Sequence, residues 1–477
     1  MRALLLALLL MLAEDAGAAT LADKPCPFIV PVTTHRAVCS RFSRDDDGAR
    51  ITFDVAVLTP SSRRSLGHVV YIPGGPGEAP VSEDGLFDDL LFPFADRTIV
   101  LFNPRGTMGT TPKMTCDFGA TIWDEDFGGA EAQAILRDCL ARFDRDGPDP
   151  GRFTSLEIAE DIDALIGALG VVRAGIYGIS YGTEAGLHLI AQAPPWLAYA
   201  ILDSVSVPGV SGIVDEMNAR DRFLSSLDQR CFQRQQCSAL VRAGADSLTE
   251  WAAQFDAEPL EIYLRDGAQW SFDGLDILDY LAQLGSYRDG LDLARTLISL
   301  LQTGRLRALG WMSADIAMQT DFAARNLPLL LEAYADTYDP GHIDTIRTPT
   351  QYEGDVQSAV LQLKLYDLWH GNRPREADFL AGGREEARMP VLMLSGGVDP
   401  FTPVEWAQAL HERFTGVQHY VFPSLGHAVS VTTGGPSPDP LMADQTRCAG
   451  DAIRAFLNPT ITPDFHCSTS YRTGDAE

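Results

Sequence analysis

An α/β core built on a mostly parallel sheet, interrupted by a helical insertion, is the fold class this 477-residue sequence predicts. Three observations carry it. Short apolar runs end on Gly/Pro-rich turns, amphipathic helical segments separate those runs, and from about residue 208 helical segments dominate, with few strand-like runs, until the strand-helix alternation returns near residue 385.

The first elements follow in chain order. Arg2 precedes an apolar run over residues 3–13, the polar pair Glu14 and Asp15, and the small-x-small triplet Ala16-Gly17-Ala18, which reads as a signal peptide over residues 1–18. The apolar run is too short for a spanning helix, which needs roughly 20 residues, and no later stretch reaches that length. The mature chain is therefore expected to be secreted or periplasmic, with no membrane partner.

Residues 51–58 alternate in strand fashion, and residues 67–72 and 98–102 are apolar runs that stop at Pro73-Gly74-Gly75-Pro76-Gly77 and Asn103-Pro104-Arg105-Gly106. Ile158, Ile162, Leu165, Ile166 and Leu169 form a helical stripe behind a capping Ser155, with Gly170 as the stop. A strand over 174–177 runs into Gly178-Ile179-Ser180-Tyr181-Gly182, a helix follows through Leu189 and Ile190, and a buried strand over 200–202 closes on Asp203.

Helical segments such as 278–284 and 291–301 then dominate. The α/β pattern resumes with a strand over 390–394, a helix over 404–414 and a strand over 418–422 before Gly426-His427. The expected organisation is a core over 19–207, a mainly helical lid over 208–384 and a second core part over 385–477, with a ligand cleft between core and lid.

Composition bounds the function. With 45% hydrophobic and 21% charged residues the chain buries a large core, and 37 basic against 65 acidic residues give a net charge of −28 that argues against nucleic acid or anionic lipid as partners. The eight cysteines, Cys26, Cys39, Cys116, Cys139, Cys231, Cys237, Cys448 and Cys467, all follow the export signal and fall as four close pairs. Nearest-neighbour disulfides are expected among the 105 possible connectivities. No CxxC pair or adjacent His cluster suggests a metal, and none is expected.

The chemistry centres on Ser180. Its GxSxG pentapeptide lies between a predicted strand and a predicted helix, the setting in which a sharp turn lifts a Ser hydroxyl above a sheet and the new helix aims its amides at the reacting centre. A Ser hydroxyl needs a base steadied by an acid. Asp399 and His427 each follow a predicted strand, where such sheets place their ligands, and the chain order Ser, Asp, His is that of hydrolases on this architecture. Asp203 also closes a strand and is the rival acid, expected to be structural or near substrate. For the developing oxyanion the expected donors are the amides of Tyr181 and Gly75, in a turn whose glycines admit close backbone approach.

Together Pro73-Gly74-Gly75-Pro76-Gly77, Asn103-Pro104-Arg105-Gly106-Thr107, Gly178-Ile179-Ser180-Tyr181-Gly182-Thr183, Gly397-Val398-Asp399-Pro400-Phe401-Thr402-Pro403 and Gly426-His427 resemble the α/β-hydrolase fold. Within it they are most similar to the prolyl aminopeptidase and tripeptidyl aminopeptidase group of serine exopeptidases. The resemblance covers residues 51–206 and 390–467, and Cys448 and Cys467 resemble the tripeptidyl group's tail. Pro73 stands where the family usually has His, which favours the tripeptidyl group, and Asn103 stands where it has a structural Asp.

The resemblance implies an exported serine hydrolase without cofactor, an aminopeptidase releasing one to three residues from peptide N-termini through an acyl-enzyme. Such enzymes read a cationic α-amino group, so a carboxylate is expected beside the cleft. Glu184, one turn beyond Ser180, is the candidate by spacing, Gly74 is expected to touch substrate, and Asp215, Glu216, Glu353 and Asp355 are further acids of the lid. A carboxylesterase acting on small esters or acylated metabolites is the alternative, and a catalytically silent binding protein is the reading from another class. Oligomeric state is not legible.

Overall fold

A computed structural model describes residues 19–28, 35–46, 48–61, 64–82, 93–116, 130–146, 149–209, 212–234, 236–237, 240, 244–263, 269–335, 369, 379–380, 385–431, 440–458, 460 and 469–472. The expected signal peptide, Glu353, Asp355 and Cys467 lie outside the described residues, as does the side chain of Asp215.

Ten strands form one sheet in the order β1-β2-β3-β5-β4-β6-β7-β10-β11-β12. These are β1 (Thr20–Lys24), β2 (His35–Asp46), β3 (Ala49–Pro60), β4 (His68–Ile72), β5 (Thr98–Phe102), β6 (Ala174–Ile179), β7 (Leu197–Asp203), β10 (Glu385–Gly396), β11 (Phe414–Phe422) and β12 (Thr469–Arg472). The six strands from β5 to β11 are mutually parallel, whereas β1, β2 and β3 at one edge and β12 at the other join antiparallel. Every residue of β5 and β6 is buried, as befits parallel strands covered on both faces.

The helices are α1 (Ala130–Asp146), α2 (Ser155–Ala168), α3 (Gly182–Gln192), α4 (Gly212–Asp228), α5 (Gly274–Gln283), α6 (Gly290–Thr303), α7 (Arg305–Ala335), α8 (Val404–Arg413) and α9 (Pro440–Leu457). The α2 stripe of Ile158, Ile162, Leu165 and Ile166 is buried in one core layer with Ile176, Ala185 and Leu189. The opposite layer joins sheet residues such as Tyr71, Tyr177 and Leu394 to α4, α5 and α6 through Phe223, Leu281 and Leu291.

One local expectation needs correction. Ser155 does not cap α2: Thr154 holds the cap position, Ser155 is the first helical residue, and its hydroxyl instead meets His188 Nε2 at 3.1 Å. The segment between β7 and β10, expected to be mainly helical with few strands, contains one two-stranded antiparallel hairpin among its described residues, β8 (Leu260–Tyr263) with β9 (Gln269–Phe272). At four residues each, these strands are too short to show a period.

Cys26–Cys39, Cys116–Cys139 and Cys231–Cys237 are disulfide-bonded, with Cα separations of 5.1, 5.8 and 4.4 Å. Cys448 is disulfide-bonded as well.

Asn103, in place of the family's Asp, is fully buried and its side chain is fully employed. Oδ1 accepts the Val81 amide at 2.8 Å, and Nδ2 donates to Ser82 Oγ at 2.6 Å and to the Met108 carbonyl at 2.9 Å. A carboxylate could accept the Ser82 hydroxyl but could not bond the Met108 carbonyl, since it has no proton to donate. Nearby, the buried Arg105 makes a two-pronged pair with Asp161 at 2.7 Å and a bond to Asp46 at 2.9 Å. These carboxylates push its pKa upward against the cost of burial.

Candidate active site

The candidate residues gather at the carboxyl ends of the parallel strands. From β4 the chain goes to β5 on one side, and β6 returns on the other, so the crevice above β4 and β6 is a topological switch point, where open α/β sheets bind their ligands. Pairing of Ile72 with Gly178 sets the turns after these two strands side by side.

Ser180 occupies the corner between β6 and α3 with φ of 54°, a left-handed conformation that a non-glycine residue adopts only at a cost. Its neighbours explain why the corner closes. A Cβ on Gly182 would stand 2.2 Å from the Ile72 carbonyl, and one on Gly178 would stand 2.8 Å from the Gly182 carbonyl, so both glycines of the pentapeptide are sterically required. The Ser180 amide donates to the Asp203 carbonyl at 3.0 Å, which pins the corner to β7.

His427 and Asp399 are brought together. Nδ1 of His427 lies 2.8 Å from Asp399 Oδ2. The carboxylate is buried and further held by the amides of Phe401 and Thr402, at 2.9 and 3.0 Å, and by the Thr402 hydroxyl at 2.6 Å. Burial alone would raise the Asp399 pKa, but His427 and the Thr402 bonds outweigh it and hold the carboxyl below its usual range. For His427 burial pulls downward, and Asp399, with Asp203 and the unforeseen Glu78 behind it, lifts the imidazole above its ordinary value. Thr402 was missed in the sequence; its signal was its position three residues past Asp399, where an Asx-type turn brings its amide to the carboxylate.

Asp203 is separate from that pair. It is buried, accepts the Val429 and Ser430 amides at 3.1 and 2.8 Å, and takes the Ser430 hydroxyl. Ser204, also left-handed at φ of 55°, accepts the Ala428 amide at 2.7 Å. Asp203 and Ser204 thus tie the loop that carries His427 to the strand that also receives Ser180.

The segment between α5 and α6 grips the same loop from above. His427 donates its amide to the Gly285 carbonyl at 3.0 Å, and Gly426 donates to Arg288 at 2.8 Å. Gly285 is wedged against Pro400, where an added Cβ would approach to 2.5 Å.

The turn after β4 stands opposite. A Cβ on Gly74 would lie 3.1 Å from Ser180 Cβ, and the Gly74 amide donates to Glu78 Oε2 at 3.1 Å. Gly75 has φ of 105° and packs under Phe322 of α7, while Gly77, at φ of 120°, leaves room for Asn326. Tyr181 follows Ser180 at the start of α3 and is buried. Behind the turn, a narrow apolar cleft runs between Tyr181, Ala185, Phe153 and Leu329. Glu184 is buried in the first turn of α3, where its Oε1 accepts the Ser206 hydroxyl at 2.6 Å. Glu216, on α4, is half-buried.

Two other histidines, His188 and His419, sit in polar contacts away from the pair. His188 meets Ser155, and His419 is buried beside Ser395, where burial lowers its pKa to about 3. Among the described residues no group of three or more His, Cys, Asp or Glu is arranged to hold a metal ion, and no helix is long and apolar enough to cross a membrane.

Residues 67–432, more than three quarters of the sequence, match the family described as alpha/beta hydrolase fold. The chain belongs to this family. Among curated proteins this hydrolase is similar to the serine protease Hip1 of Mycobacterium tuberculosis, with 28% identity over 207 residues, 39% of each chain. It is also similar to the tripeptidyl aminopeptidase of Streptomyces lividans, with 27% identity over 173 residues, 33% of this chain and 32% of the relative. The matches thus span about two fifths or less of those relatives. Among solved structures, a thermophilic esterase from Thermogutta terrifontis aligns over 88% of this hydrolase and 99% of its own chain, at 13% identity and a TM-score of 0.38.

Proposed function

We propose that this hydrolase is an exported serine peptidase that removes one to three residues from the N-termini of peptides. Ser180 is the nucleophile, His427 the general base and Asp399 the group that fixes the imidazole tautomer and steadies the imidazolium. The observation that carries this reading is the 2.8 Å pair between His427 Nδ1 and a buried, multiply hydrogen-bonded Asp399, on the same sheet rim as a Ser held in a left-handed corner.

In the proposed reaction His427 Nε2 takes the Ser180 proton as Oγ attacks the acyl carbon. The amides of Tyr181 and Gly75 meet the oxyanion, and His427 returns the proton to the leaving amine. Water, deprotonated by the same imidazole, then releases the acyl group. Similarity to Hip1 and to the tripeptidyl aminopeptidase favours peptides over esters as substrates. The disulfides favour an extracytoplasmic location, since such bonds persist in oxidising compartments.

The test compares wild type with Ser180→Ala on peptide p-nitroanilides bearing free or acetylated N-termini and on short p-nitrophenyl esters. Cleavage of free-amino anilides that vanishes in the variant supports the reading. Turnover of esters alone removes the peptidase assignment, and no turnover of either together with no labelling by a fluorophosphonate removes the nucleophile.

A further inference from the structure

Glu78 is an acid that the triad does not use, placed within the site by the turn after β4. Its Oε2 is anchored by the Gly74 amide at 3.1 Å, with the Tyr71 hydroxyl at 3.5 Å. Its Oε1 takes no hydrogen bond from any described residue. That oxygen stands 3.7 Å from where a Cβ on Gly74 would be, and the same point is 3.1 Å from Ser180 Cβ, which puts Oε1 within about 7 Å of Ser180 Cβ. No described Lys or Arg forms an ion pair with Glu78, and the cationic group that acts on it is His427 when protonated. Burial raises its pKa, so the anion is held at a cost that a second cation would relieve.

We propose that Glu78 is the specificity residue that reads the substrate's free α-ammonium group, and that it selects for release of a single N-terminal residue. This rests on the peptidase reading above. Bond lengths decide the count. In an aminoacyl ester of Ser180 the amino nitrogen stands about 4–5 Å from the Cβ, so a charge-assisted hydrogen bond of about 2.8 Å reaches Glu78. Each further residue of an extended acyl group moves that nitrogen away by about 3.4 Å, which carries the ammonium of a tripeptidyl group roughly 7 Å beyond reach.

The same placement explains how a neutral N-terminus is rejected. An anion beside Ser180 opposes the negative charge that grows on the oxyanion, and the substrate's own ammonium cancels that opposition. An acetylated substrate leaves the carboxylate uncompensated at the moment of attack.

The experiment measures kcat/KM for aminoacyl p-nitroanilides with free and acetylated amino groups, and for tripeptidyl p-nitroanilides, in wild type, Glu78→Gln and Glu78→Asp. The rate of fluorophosphonate labelling reports an intact nucleophile. Wild type should favour the free aminoacyl anilide over both the acetylated and the tripeptidyl one. Glu78→Gln keeps an acceptor for the Gly74 amide and should lose about 10- to 100-fold on the free aminoacyl substrate while acetylated substrates hold or gain. Glu78→Asp, which keeps the charge, should restore part of the preference. A preference for free amino groups that survives Glu78→Gln, or better turnover of tripeptidyl than aminoacyl anilides, overturns this inference and leaves the peptidase reading standing. The absence of any free-amino preference in wild type overturns both.

Discussion

At Ser180 and His427 the side chains face a crevice and fill no core layer, so their removal should cost chemistry without costing the fold. Ser180→Ala and His427→Ala are each expected to abolish fluorophosphonate labelling while shifting the thermal midpoint by no more than about 2 °C. The two carboxylates at the rim should part company. Asp399→Asn should reduce kcat by about 10⁴-fold through the wrong imidazole tautomer. Asp203→Asn should instead lower stability by about 2–4 kcal/mol, read by urea unfolding, because an amide cannot accept all the donors that converge on that buried carboxylate. A rate loss confined to Asp203→Asn would exchange the two assignments. The raised His427 pKa has a direction as well. The base works only when neutral, and its protonated form persists to higher pH than an ordinary histidine's, so the rising limb of kcat/KM should have its midpoint above about 6.5. Asp399→Asn should move that midpoint downward, and an unmoved limb would show that another group is being titrated.

Elements act on the site through their turns. The turn between α5 and α6 holds the amides of Gly426 and His427, and Gly285 in that turn lies against Pro400, next to Asp399. Gly285→Val should therefore push the acid and base loops apart. The expected result is a kcat loss of about 10-fold or more with the fold retained, checked by labelling rate beside circular dichroism. Deeper in the core, Arg105 ties the turn after β5 to α2 through Asp161 and to β2 through Asp46. Arg105→Met should destabilise by about 3–5 kcal/mol because it strands two buried carboxylates, although Arg44 and Arg152 remain beside them. A urea midpoint unchanged by that substitution would show that these neighbours suffice.

The whole molecule is cross-linked by disulfides whose cysteines are mostly buried. Cys26–Cys39 joins the chain just past β1 to β2, Cys116–Cys139 reaches α1, and Cys231–Cys237 closes a short loop after α4. Full reduction should lower stability by about 2–4 kcal/mol for the larger loops and less for the six-residue one, seen as a fall in thermal midpoint, since closing longer loops removes more entropy from the unfolded chain. A midpoint indifferent to reductant would exclude this role.

Much of this was legible along the chain because periodicity and turn chemistry are local. The strands at 67–72, 98–102 and 174–179, the helix after Ser180 and the positions of Asp399 and His427 follow from apolar runs that end on glycines, and three disulfides joined cysteines adjacent in sequence. The hairpin of β8 and β9 and the edge strand β12 were too short for a period to show. Partnership between distant residues was not legible either, because it depends on packing. Nothing along the chain showed that the Asn103 amide bonds Ser82 and Met108, or that Asp399 lies against His427 while Asp203 takes the Ser430 and Val429 amides. Glu78, one of 65 acids, was passed over although it directly follows the Pro73–Gly77 turn, because only folding turns its carboxylate back onto the Gly74 amide. Local order wrote the strands, the corner and the order of the three residues, whereas the environment of each charge came from folding, because a carboxylate's role is set by which donors and cations surround it in space.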